Sequence, residues 1–132
     1  MLVGAYAVAA HGLPRATDAL DLWVKCSEEN ANRVMAALKK FGTPVSHLSR
    51  KDFATPDTVI QLGVTPSRID LLTTISGVDY SEAESERDLV HIEDLNVPVI
   101  GISHLIRNKK AVGRPQDQAD VARLEELRSQ TR

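Results

Sequence analysis

The run SRIDLLTTI, residues 67–75, sets an aspartate in the middle of an apolar strand. A strand turns alternate side chains to opposite faces, so Ile69, Leu71 and Thr73 point one way while Arg68, Asp70 and Leu72 point the other. A carboxylate on so apolar an element needs a cation, an ion pair or several hydrogen-bond donors. A salt bridge from Arg68 or Arg15 meets that need, and so does a metal ion. The earlier run LDLWV has the same character, with Leu20, Leu22 and Val24 on one face and Asp21 and Trp23 on the other.

Helical segments surround these strands. Ser27 is placed to cap a helix over EENANRVMAALKKF, with Asn30 at the third position and Glu28 and Glu29 in the first turn. Ala31, Val34, Met35 and Leu38 recur at helical spacing, and Lys39 and Lys40 close the segment before Gly42. Met1 to Val3 predicts the stub of a strand turned by Gly4, and AYAVAAHG a short helix ended by Gly12 and Pro14. TVIQLGV and SRIDLLTTI predict a hairpin joined across Val64–Ser67. YSEAESERDLVHI begins helically and VPVIGI is a short apolar strand or buried run. SHLIRNKKAVG predicts a helix capped by Ser103 and stopped by Gly113, and a last helix starts at Pro115. The expected class is α/β (α+β): a small mixed sheet with a hairpin, flanking helices and a helical C-terminal part.

At 132 residues the chain has the length of one domain, residues 1–132, and no repeat or linker divides it. A net charge of −2 supplies no broad positive field for nucleic acid, so any such binding needs a local patch. Cys26 is the sole cysteine, which excludes an internal disulfide and fits a reducing cytoplasm. The apolar opening MLVGAYAVAAHG is too short to span a membrane and lacks the basic start of a signal peptide, so no membrane association is expected.

Taken in order, GAYAVAAHGLPRATDALDLWV, the Asp of RIDLL, and NKKAVGR followed by Asp117 and Asp120 resemble the signature of the polymerase-beta-like, minimal nucleotidyltransferase superfamily. The likeness is closest to its AbiEii-type, toxin-like bacterial branch and that branch's small relatives, and it covers nearly the whole chain. It implies transfer of a nucleoside monophosphate from an NTP to a nucleic acid or protein acceptor, with two Mg²⁺ ions held by three carboxylates. Asp21 and Asp70 match two of the ligand positions and would be the catalytic and metal-binding residues. Gly4 would let the backbone approach phosphate, with Ala5 beside it where Gly or Ser is usual. Arg15 and Thr17 would touch phosphate or hold the loop, and Lys109 and Arg114 would approach the triphosphate or the acceptor. The toxin-like relatives make tRNA or an antitoxin protein a partner to expect.

The third ligand position falls on Ala19, which cannot bind a metal. Asp18 lies next to it, but strand alternation aims it at the opposite face unless a bulge re-aims it. Ala19 is either a replacement introduced to disarm the enzyme, the account the otherwise well-kept motif favours, or natural in a non-catalytic member. Either way the chain as written is expected to be inactive, and the alternative function is a nucleotide- or partner-binding domain. Only Met1, Leu2 and Val3 precede Gly4, so the start looks shortened; the apolar surface this exposes would favour a homodimer through the N-terminal edge.

Other residues read more simply. Lys109, Lys110 and Arg114 also suit a solvated basic helix end, and Asp117 and Asp120 suit structural pairing with Arg114 or Arg123. His11 fits a packing or hydrogen-bonding role at a helix end. His47, His91 and His104 show no metal spacing with one another or with Cys26, and Cys26 has no base to activate it. Trp23 shares a strand face with Asp21, and a core role suits it better than a place in a cleft.

Overall fold

The computed structural model describes residues 1–17 and 19–130. The chain packs as two units, one built from Met1–Thr17 with Ile75–Arg132 and the other from Asp18–Thr74.

In the second unit, β2 (Ala19–Trp23) pairs in parallel with β4 (Arg68–Leu72), and β3 (Val59–Leu62) pairs with β4 antiparallel. The expected hairpin forms, and its loop includes a cis Thr65–Pro66 peptide. The helix α2 (Glu28–Phe41) keeps its expected bounds for the expected reason: Asn30 N–H donates to Ser27 Oγ at 3.1 Å. Its other end closes on Gly42, whose φ of 95° suits a residue without a side chain, and Gly42 N–H donates to the carbonyls of Leu38 and Lys39. The apolar face of the helix meets that of the sheet, where Ala31, Leu38, Phe53, Leu62 and Leu71 form a buried cluster joined by Leu22, Val34 and Ile69. Between these layers an apolar groove of about 420 Å³ opens beside the exposed ring of Phe41. A short helix α3 (Arg50–Phe53), not foreseen from the sequence, starts where Ser49 N–H donates to the Asp52 carboxylate at 2.8 Å.

In the first unit, β1 (Leu2–Val3) pairs in parallel with β6 (Leu95–Val99), and β5 (Asp88–Ile92) pairs with β6 antiparallel. Around them lie α1 (Gly4–Ala10), α4 (Tyr80–Ser85), α5 (Ile102–Val112) and α6 (Pro115–Gln130). Val8, Val99, Ile100, Leu105 and Leu124 are among its fully buried side chains. Both units thus hold mixed strands with helices, and the α+β class with a mixed sheet is borne out.

Two details differ from expectation. The segment YSEAESERDLVHI is helical only to Ser85; its second half is the strand β5, turned into β6 across Glu93 and Asp94 with Glu93 at φ 54°. The helix α5 is capped by Gly101 rather than Ser103: Ser103 lies inside the first turn, and its hydroxyl accepts from Arg128 Nη1 at 3.3 Å. Leu2 and Val3 of the short N-terminal strand are buried. Among the described residues no helix is long and apolar enough to cross a membrane.

Candidate functional site

The second unit brings its two carboxylates together. In the parallel pairing of β2 with β4, Asp21 lies directly opposite Asp70, and Ala19 directly opposite Arg68. Parallel register and strand alternation put all four on one face, at the corners of a small quadrilateral. Asp70 is buried at 9 % exposure and is met by the fork of Arg68, with Nε donating to one oxygen at 3.1 Å and Nη2 to the other at 3.3 Å. Arg68 thus supplies Asp70 with an ion pair of the kind expected for it. Ala19 and Trp23 on the same strand are buried, and Trp23 Nε1 donates to the Thr73 carbonyl at 3.3 Å, giving the indole the core role expected of it.

This donor set does not fit a two-ion metal centre. Such a centre needs carboxylates free to bridge hard cations; here one of the two is already neutralised by a guanidinium and the third position is a methyl group. Among the described residues no three His, Cys, Asp or Glu side chains converge as ligands. Asp18 lies outside the described residues.

The first unit gathers the remaining expected residues differently. Gly4, at φ 68°, is the first residue of α1 and makes the turn expected of it, with Ala5 following. Thr17 is half-buried at the end of the loop that follows α1. Arg15, on that loop, donates through Nη2 to Asp120 on α6. Lys109 on α5 is buried at 6 % exposure and sits between two aspartates, 3.3 Å from Asp117 Oδ1 and 3.0 Å from Asp120 Oδ2. Arg114 closes the network on Asp117, with Nε donating at 2.7 Å and Nη2 at 3.3 Å, while its backbone N–H also donates to that carboxylate. Lys110 stands apart on Glu125 at 2.8 Å. Asp117 thus pairs with Arg114 as expected, whereas Asp120 pairs with Arg15 and Lys109 rather than Arg123.

Hydrogen bonds from Arg114, seconded by Lys109, hold the Asp117 carboxyl below the ordinary carboxylate range despite its burial. Burial pushes Asp120 upward, but hydrogen bonds from Arg15 and Lys109 outweigh it, so this carboxyl is lowered too. Lys109 is committed to this network, and Lys109, Arg114, Asp117 and Asp120 make a charged seam between α5 and α6.

His11 hydrogen-bonds the Ile100 carbonyl through Nε2 at 2.8 Å, and His91 Nδ1 lies 3.1 Å from Asn96 Oδ1. His104 is buried with Nδ1 3.6 Å from Glu86 Oε2, on the wall of a polar cavity of about 510 Å³ shared with Glu82, Ser103 and Arg107. That grouping joins α4 to α5, and no spacing in the sequence announces it.

No protein-family model matches this chain, and no curated protein is significantly similar to it.

Proposed function

We propose that the chain is a nucleotidyltransferase-type domain that does not transfer nucleotides as written, because Ala19 stands where a third carboxylate would complete the site. The observation that carries this reading is the register of Asp21 against Asp70 on adjacent parallel strands. Two acids side by side on one face repel each other, and an arrangement with that electrostatic cost is characteristic of a site built around positive charge. The order of the Gly4 turn, the carboxylate strands and the NKKAVGR segment supports the same reading. The substrate is an NTP, the acceptor a nucleic acid such as tRNA or a protein partner of the antitoxin kind, and the compartment a reducing cytoplasm in keeping with the lone Cys26. Self-association through the N-terminal edge belongs to this reading too, and sedimentation of the purified chain reads it directly.

The test is a titration of ATP, CTP, GTP and UTP with Mg²⁺ into the chain and into Ala19→Asp, followed by assay of labelled-nucleotide transfer. The expected result is no transfer by the chain, with metal-dependent nucleotide binding or transfer gained by Ala19→Asp. A gain of neither would overturn the reading, and transfer by the unaltered chain would overturn the part assigned to Ala19.

The bidentate grip of Arg68 on Asp70 favours a second reading, a non-catalytic domain that binds nucleotide or a partner without metal. Nucleotide binding that survives a chelator, in the chain as written, separates the second from the first.

A further inference from the structure

We propose that Arg68 is the resident counter-cation of Asp70, filling in charge the place of a divalent ion beside Asp21 and holding such ions off the site. The inference rests on the nucleotidyltransferase reading of the strand pair and specifies what that pair does in this chain.

Arg68 and Asp70 are two apart on β4 and share a face, so a long side chain at 68 can lie along the strand and reach the carboxylate at 70. It does so through both Nε and Nη2, the two-pronged fork-to-carboxylate geometry that adds directional specificity to an ion pair. The register supplies the second element. Position 19, directly across from Arg68, carries only a methyl group, which neither competes for the guanidinium nor adds negative charge beside it. Asp21, Asp70 and Arg68 together sum to −1, whereas an aspartate at 19 without the arginine would bring the same face to −3. The first arrangement has one of its two carboxylates neutralised by the protein itself; the second calls for a multivalent cation. Ala19 and Arg68 thus act as one device, in which one residue removes a ligand and the other neutralises a ligand that remains.

A guanidinium sharing a carboxylate with a divalent ion repels it. Even with water-like screening the penalty is on the order of tenfold in affinity. Restoring the carboxylate at 19 therefore returns only part of the metal affinity, and the rest returns when the charge at 68 is removed.

Mn²⁺ binding, read by electron paramagnetic resonance of the free ion and by calorimetry, tests this on the whole chain and four variants: Ala19→Asp alone, and Ala19→Asp combined with Arg68→Gln, Arg68→Met or Arg68→Lys. Thermal unfolding identifies which variants are folded, and the two neutral replacements, one polar and one apolar, give two routes to a folded uncharged variant. The expected result is that either neutral double variant binds Mn²⁺ about tenfold or more tighter than Ala19→Asp, while the lysine double variant, which keeps the charge, stays with Ala19→Asp. Equal affinity in Ala19→Asp and the neutral double variants would overturn the proposal, as would a lysine variant that gains as much as glutamine. Absence of Mn²⁺ binding in every variant is a different result: it removes the nucleotidyltransferase reading itself.

Discussion

Lys109 is an ammonium enclosed by two buried carboxylates, and the consequences of removing it can be stated in advance. Breaking a buried ion pair by deleting one partner leaves an uncompensated charge, which costs about 3 kcal/mol. Lys109→Met is therefore expected to lower the free energy of unfolding by about that amount, read as a reduced urea midpoint with unchanged slope. Arg114→Ala should behave otherwise. Its side chain is 65 % exposed and Asp117 retains Lys109, so the loss is that of a surface ion pair, about 1 kcal/mol or less. If Lys109 served chiefly to contact a nucleotide, the methionine variant would keep its urea midpoint and lose only ligand affinity. At this scale some of the site was legible in the sequence and some was not. Arg68 and Asp70 are two apart on one strand, so alternation puts them on one face and makes Arg68 one of the partners the sequence offers. Asp120 and Arg15 are separated by 105 positions, and nothing in either local pattern says which distant cation the aspartate will meet.

The turn at Ser76–Gly77 fixes where α5 runs, and a single methyl group tests it. Arg107 Nε donates to the Gly77 carbonyl at 2.8 Å, and Asn108 Nδ2 donates to the Ser76 carbonyl at 2.9 Å. Gly77 has φ 78°, and a Cβ there would stand 2.7 Å from the Ala111 Cβ and 3.3 Å from the Arg107 carbonyl oxygen. Left-handed backbone costs an L-residue roughly 1 kcal/mol, and forcing a methyl into an occupied space costs a similar amount or more. Gly77→Ala is expected to lose about 2 kcal/mol, seen as a fall in Tm of several degrees. Elements were legible where local chemistry and packing agree. The helix α2 carries a side-chain cap, dipole-complementing charges, an apolar stripe and a glycine stop, and each alone would place one of its ends. The strand β5 has none of this help. Its turn into β6 uses Glu93 at φ 54°, where glycine or asparagine would have flagged a hairpin, and Leu89 and Ile92 on it remain exposed. Tertiary pairing with β6 makes this strand, and pairing leaves no mark on a short polar-apolar run.

For the whole molecule, the charges that matter to stability are few, because most of the acids and bases sit in water. Glu82 and Glu125 are lowered by contacts with Arg107 and Lys110, but at the surface, where solvent and salt screen the effect. Asp117 and Asp120 are different: both are buried, and both are held below their ordinary range by the cations around them. The sign follows from linkage. A carboxyl whose folded value lies below its unfolded value of about 3.9 binds fewer protons folded than unfolded, so it stabilises the fold above that value. The stabilisation is lost as pH falls through the folded values. The unfolding free energy of the chain is therefore expected to be nearly flat from about pH 7 to about pH 5 and to fall steeply below about pH 4. Asp120→Asn should remove part of that dependence by two routes, leaving Lys109 and Arg15 short of a counter-charge at neutral pH and taking one titrating group out of the acid limb. Urea unfolding at pH 7, 5, 4 and 3 checks both: the variant should be weaker than the parent at pH 7, with the gap narrowing toward pH 3. A gap that stays constant across that range would mean that the seam between α5 and α6 does not govern acid unfolding, and that exposed carboxylates carry it instead.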